Sequence, residues 1–147
     1  MKILVSACLL GENCKYSGGN NKNEKVIALG EKHTLVPICP ECFAQLPIPR
    51  PPAEIKDGRV FNKLGEDITE QFRDGAEKAL YIAEESGCRI AVLKERSPSC
   101  GFGTIYDGSF TDRTIRGNGI TAQLLYDNGI IILGESQTDK IEDYESE

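Results

Sequence analysis

No stretch of this sequence approaches the roughly 18 consecutive apolar residues that a membrane span requires. No block of Lys and Arg stands out, and the formal net charge is −6. An extended nucleic-acid footprint is therefore not expected, although a small nucleobase or nucleotide remains compatible with this balance. There is a single histidine, His33. It follows a predicted helix and is expected on the surface, so histidine-containing metal sites and Cys–His catalysis have little support. No G-x-G-x-x-G follows the first apolar run, which leaves a dinucleotide site unsupported. No internal repeat is visible. The opening "MKILVSACLLGENC" begins basic and then apolar, but its apolar part is short and strand-like and ends at Gly11-Glu12-Asn13. It reads as a first strand rather than a signal peptide, and the chain is expected to be cytoplasmic.

What the chain does contain is six cysteines in 147 residues, enough length for one core. In a reducing compartment that number points to metal, cluster or redox chemistry rather than structural disulfides.

The apolar pattern predicts buried strands at Lys2–Ala7, Thr34–Ile38, Arg89–Lys94 and Gly129–Leu133. Helices are expected at Lys22–Glu31, Thr69–Ser86 and Thr121–Asn128. The stripe Phe72, Ala76, Ala79, Leu80 and Ala83 makes the second the clearest. Asp57-Gly58 signals a hairpin between Glu54–Lys56 and Arg59–Asn62, and Asp107-Gly108 signals a second within Thr104–Phe110. The segment "CPECFAQLPIPRPPAE" carries five of the seven prolines and reads as an ordered irregular loop with one helical turn at Glu41–Gln45. The expected architecture is a single-domain Rossmann-like α/β layer over residues 1–134. Its sheet is mainly parallel, with helices on both faces and one or two β-hairpin insertions. Residues 135–147 read as an acidic C-terminal tail that frays.

On this framework Cys8, Cys39 and Cys100 each follow a different parallel strand. Ligands of open parallel sheets bind beyond the carboxyl ends of the strands. The three thiols are thus expected at one sheet edge, whereas Cys88 precedes its strand and reads as a small buried hydrophobe at the opposite edge. Three chemistries fit. A structural zinc could take Cys8, Cys39, Cys100 and either Cys14 or Cys42. Cys39 and Cys42 form a C-x-x-C that suits a redox dithiol, although prolines break the long helix that usually follows such a motif. Three thiolates could also hold an iron–sulfur cluster with one iron left open.

The blocks "SACLLGENCKYSGG", "PICPECFAQLPIPRPPAE" and "LKERSPSCGFG" resemble the three signature blocks of domain-of-unknown-function family 523, in the same order and over about residues 2 to 134. That family includes an iron–sulfur thiouracil desulfidase. The resemblance implies a 4Fe–4S cluster held by Cys8, Cys39 and Cys100. Its fourth iron lacks a protein ligand and is free to take the sulfur of a small thiolated nucleobase or similar thiocarbonyl substrate. The reaction implied is a non-redox desulfuration of the 2-thiouracil to uracil type. Glu41 matches an acid/base position. Ser97 matches a serine that assists the substrate or activates water, with Ser99 as its rival. Pro98 and Gly101 would stiffen the loop around Cys100. Lys94 and Arg96 read as solvated flanks, Arg50 and Glu54 as a structural ion pair, and Tyr16 as a packed ring or a stacking surface. One position departs from the family pattern. Cys42 stands where relatives often carry an apolar residue, and as a fourth ligand it would close the open iron. Cys14 raises the same question.

Overall fold

The computed structural model describes residues 1–145. Ser146 and Glu147, the end of the expected tail, lie outside the described residues. In chain order the strands are β1 (Lys2–Ser6), β2 (Thr34–Ile38), β3 (Ala53–Lys56), β4 (Arg59–Asn62), β5 (Ile90–Leu93), β6 (Thr104–Tyr106), β7 (Thr114–Arg116) and β8 (Ile131–Gly134). The helices are α1 (Glu24–Ala28), α2 (Pro40–Phe43), α3 (Thr69–Ser86) and α4 (Ile120–Asp127). The strands β2-β1-β5-β8 form one parallel sheet in that order, and β3-β4 and β6-β7 are antiparallel hairpins. The expected α/β architecture with hairpin insertions is borne out. Among the described residues no helix is long and apolar enough to cross a membrane.

The parallel sheet follows from strand composition. β5 is buried along its whole length and β1 from Ile3 to Ser6, as in a sheet covered on both faces. Alternate residues serve opposite faces. Leu4, Ala91, Leu93 and Ile132 pack on Ala79 and Ala83 of α3 and on Ala122 and Leu125 of α4. Ile3, Val5, Val92 and Leu133 pack on Leu9, on Val26 of α1 and on Ile141. Pro37 sits in β2, an edge strand where a missing N–H donor is tolerated.

Three elements differ from the sequence-based expectation. α1 is a single capped turn, because the Asn23 side chain accepts the Lys25 and Val26 N–H groups and a 3-10 turn at Leu29–Glu31 replaces the rest. The second hairpin does not turn at Asp107-Gly108. A longer loop links β6 to β7, and the Glu54 carboxylate accepts the N–H groups of Gly108 (3.0 Å) and Phe110 (3.1 Å). The segment after Gly134 does not fray as expected. Glu135–Tyr144 forms 3-10 turns, and Ile141, 1% exposed, anchors them in the core. His33 is likewise not a surface group. Its side chain is buried, with Nδ1 3.2 Å from the Met1 amine and Nε2 3.0 Å from Glu145.

α2 lies hard against α3. A Cβ on Gly75 would collide with the Pro40 carbonyl group, closer than real Cβ contacts come. Gly75→Ala should therefore destabilise the fold by about 1–3 kcal/mol, the usual cost of overpacking. Its urea midpoint should fall, whereas Glu77→Ala on an exposed position of the same helix should leave the midpoint nearly unchanged.

Candidate active site

β1, β2 and β5 run in the same direction, so their carboxyl ends share an edge. A cleft of about 700 Å³ opens there, lined by Cys8, Cys39, Cys100, Glu41, Arg50 and Ser97 among others. The prolines at 51 and 52 and residues of both hairpins complete its walls. Cys88 is buried outside it, packed with the core beneath α3. The six cysteines are free thiols.

Each thiol is held by local backbone chemistry. Cys8 sits in a 3-10 turn, Ala7–Leu10, closed by Gly11 at φ 95°, a left-handed conformation that favours glycine. The Asn21 amide donates to its sulfur at 3.3 Å. Cys39 occupies the N-cap of α2, with Pro40 preset for the first helical position. Its thiol lies 3.9 Å from the Cys14 carbonyl oxygen. Cys100 ends a tight turn organised by Ser97, whose hydroxyl oxygen accepts the N–H groups of Ser99 (3.1 Å) and Cys100 (3.0 Å). Gly101 N–H donates to the Ser97 carbonyl at 2.8 Å. A Cβ on Gly101 would strike the Ser97 backbone, so the close turn requires glycine.

Protons stay on these sulfurs when nothing is bound. Burial pushes the Cys8 thiol up, against the opposing Asn21 hydrogen bond. The neighbouring Cys14 raises Cys39, with burial adding to it. Burial, and then Cys39, push Cys42 up to about 11. Burial pushes Cys100 up to about 12, opposed by the Ser6 hydroxyl. A metal centre binding here must displace protons, which couples its binding to pH. A reactive C-x-x-C dithiol lowers the pKa of its attacking sulfur, and both Cys39 and Cys42 shift the other way.

Among the described residues, no three His, Cys, Asp or Glu side chains converge as a single metal ion needs. Tetrahedral zinc wants four donors at about 2.0–2.3 Å from one point, and that arrangement is absent among them. Three soft thiols spread around one cleft suit a polynuclear iron–sulfur group better than a lone ion. Cys14 lines the cleft as well, whereas Cys42 is half-buried and outside its wall.

The two candidate serines part company. Ser97 lines the cleft. Ser99 is 1% exposed, and its hydroxyl pairs with that of Thr121 at 2.7 Å. It faces the α4 junction rather than the open space.

Glu41 lines the cleft as the second residue of α2, and its partner was not visible in the sequence. Arg50 donates to its Oε2 from Nη2 (2.7 Å) and Nε (3.1 Å). The expected Arg50–Glu54 pair does not form, because Glu54 ties the two hairpins together instead. Lys94 is not a simple solvated flank either. It lines the cleft and pairs with Glu135 at 3.1 Å. Arg96 is exposed at the rim, and Tyr16 is largely exposed at the mouth.

The profile of the 2-thiouracil desulfurase family matches residues 3–137. The chain belongs to that family. The three signature blocks thus carried a true family resemblance, and the expectation of a desulfidase enzyme is borne out at that level. A solved structure described as a [4Fe-4S]-dependent thiouracil desulfidase, TudS, superposes with a TM-score of 0.92 at 41% identity, covering 99% of this chain and 97% of that one. The uncharacterised protein YbbK of Bacillus subtilis (strain 168) is 39% identical over 149 residues, 95% of this chain and 99% of its own length.

Proposed function

We propose that this desulfidase hydrolyses a thiolated nucleobase or related thiocarbonyl compound to its oxygen analogue and hydrogen sulfide, using a 4Fe–4S cluster held by Cys8, Cys39 and Cys100. The observation that carries the reading is the meeting of three free thiols from three parallel strand ends in one cleft with a carboxylate. The same cofactor and substrate class stand in the description of the 41%-identical TudS. When bound, the cluster supplies a sulfur-seeking Lewis acid.

The protein's own residues supply the rest. Glu41 is the acid/base that accepts a proton from attacking water. Arg50 occupies only its Oε2, so among the described residues Oε1 has no protein donor. Ser97 has both hydroxyl lone pairs engaged by backbone N–H groups, which leaves its O–H as a donor toward substrate. That arrangement makes Ser97 a hydrogen-bond donor and leaves the base to Glu41. Ser99, already paired with Thr121, supports the turn. The overall change is a hydrolysis and needs no external electron carrier.

Anaerobic reconstitution should give about four irons per chain, and addition of 2-thiouracil should release sulfide and uracil in equal amounts. Cys42→Ala should keep both the iron content and the turnover, because its side chain lies outside the cleft wall. A stable cluster with no sulfide from any thiopyrimidine would sink the substrate assignment. Loss of iron in Cys42→Ala would make Cys42 a ligand and close the open site.

A further inference from the structure

The acid/base reading of Glu41 leaves open what holds that carboxylate in place. Arg50 is only 7% exposed at its side chain, yet each of its contacts is inside the protein. Nε and Nη2 converge on one oxygen of Glu41, Oε2. Nη2 also donates to the Cys14 carbonyl at 3.0 Å, and Nη1 to the Pro47 carbonyl at 3.2 Å. A buried guanidinium requires such partners, because an unpaired charge out of water is costly.

The geometry is not the two-by-two fork that Arg and carboxylate often form. Both donors take the same oxygen, and the other carries no hydrogen bond from the described residues. A glutamate in a four-residue helix has several rotamers available, and fixing one oxygen removes that freedom. The two carbonyl contacts anchor the guanidinium to the segment after β1 and to the proline-rich loop. The fork therefore references Glu41 to two other walls of the cleft.

We infer that Arg50 is a positioning residue for the desulfuration reaction. It clamps Oε2 of Glu41 so that Oε1 is held toward the attacking water. The inference rests on the acid/base reading of Glu41. Lysine would keep the positive charge but not the planar set of donors, so R50K isolates the geometry from the charge.

The test is a double-mutant cycle on cluster-loaded protein with 2-thiouracil, comparing wild type, R50K, E41Q and the double variant. R50K should lower kcat by about 10- to 100-fold, the range seen when an orienting partner is lost, with KM unchanged. Iron content and the visible cluster absorbance should match wild type. In the E41Q background R50K should have little further effect, because the two residues act as one unit. In the cluster-free protein the Arg50 Nε–H proton resonance should shift on E41Q, a readout independent of turnover. If R50K accumulates poorly, R50Q measured per loaded chain completes the same cycle.

An impaired E41Q on which R50K acts with its full fold-loss overturns the proposal alone. So does R50K raising KM with kcat unchanged, which would place Arg50 on the substrate. Full activity of E41Q overturns the Glu41 reading beneath the proposal.

Discussion

Alanine in place of Cys100 should give a folded chain that retains no iron–sulfur cluster and releases no sulfide from 2-thiouracil. The reason to expect folding lies in the turn that carries the sulfur. Its hydrogen bonds run from backbone N–H groups to the Ser97 hydroxyl and carbonyl oxygens, and none uses the Cys100 side chain. Removing one sulfur atom from a residue that is 5% exposed is a deletion of about methylene size, comparable to Ile→Val, which costs about 0.5–1.5 kcal/mol. Far-UV circular dichroism should therefore match wild type. On the proposed ligand set the cofactor would lose one of three protein ligands, however, and two thiolates would leave two irons without protein support. Iron analysis after anaerobic reconstitution and the visible absorbance measure the loss directly. Cys88→Ala is the matched control, since that buried thiol lies outside the cleft. Iron binding by Cys100→Ala equal to wild type would remove Cys100 from the ligand set.

The convergence of Cys8, Cys39 and Cys100 on one cleft was legible because two simple features coincide. β1 and β5 are nearly unbroken apolar runs, which marks a covered parallel sheet, and parallel strands deliver their carboxyl ends to one edge. A cysteine just past each of three strands then falls at that edge whatever the helices do. α3 was legible to its ends, Thr69 and Ser86, because its alanine-rich stripe is periodic and Gly87 stops it in a left-handed conformation. What stayed hidden depends on contacts between distant segments. Arg50 chooses Glu41 over Glu54 because the proline-rich loop folds back beneath the Cys14 carbonyl, and no local spacing encodes that path. Thr114–Arg116 is exposed throughout, so β7 carries no apolar alternation to read. Ile141 is one aliphatic residue in a polar run, yet its buried side chain, with Tyr144 packed beside it, docks the C-terminal turns on the sheet. Ser97 and Ser99 look alike in "RSPSCG". The turn between them leaves Ser97 on the cleft wall and pairs the Ser99 hydroxyl with Thr121.

Glutamine at position 41 should spare the cluster and lower kcat by about two to four orders of magnitude, the contribution usual for a positioned proton-transfer group. The substitution is close to isosteric. A side-chain amide oxygen can still accept from Nε and Nη2 of Arg50, so the clamp persists while the other oxygen is replaced by an NH₂ that accepts no proton. Stability must be weighed against this chemical effect. Breaking a buried ion pair by removing one partner costs about 3–5 kcal/mol when the other charge is stranded. Arg50 is not stranded here, because the carbonyl oxygens of Cys14 and Pro47 remain on it and Glu41 is one-fifth exposed. The thermodynamic loss should thus fall well below that range, and rates expressed per cluster-loaded chain separate it from catalysis. Ser97→Ala provides the contrast. It deletes a donor and also strips two N–H groups of their acceptor in the turn that carries Cys100, so it should lower iron content as well as rate. Glu41→Gln should lower rate alone. Turnover by Glu41→Gln within a few-fold of wild type would mean that water reaches the thiocarbonyl carbon without a protein base.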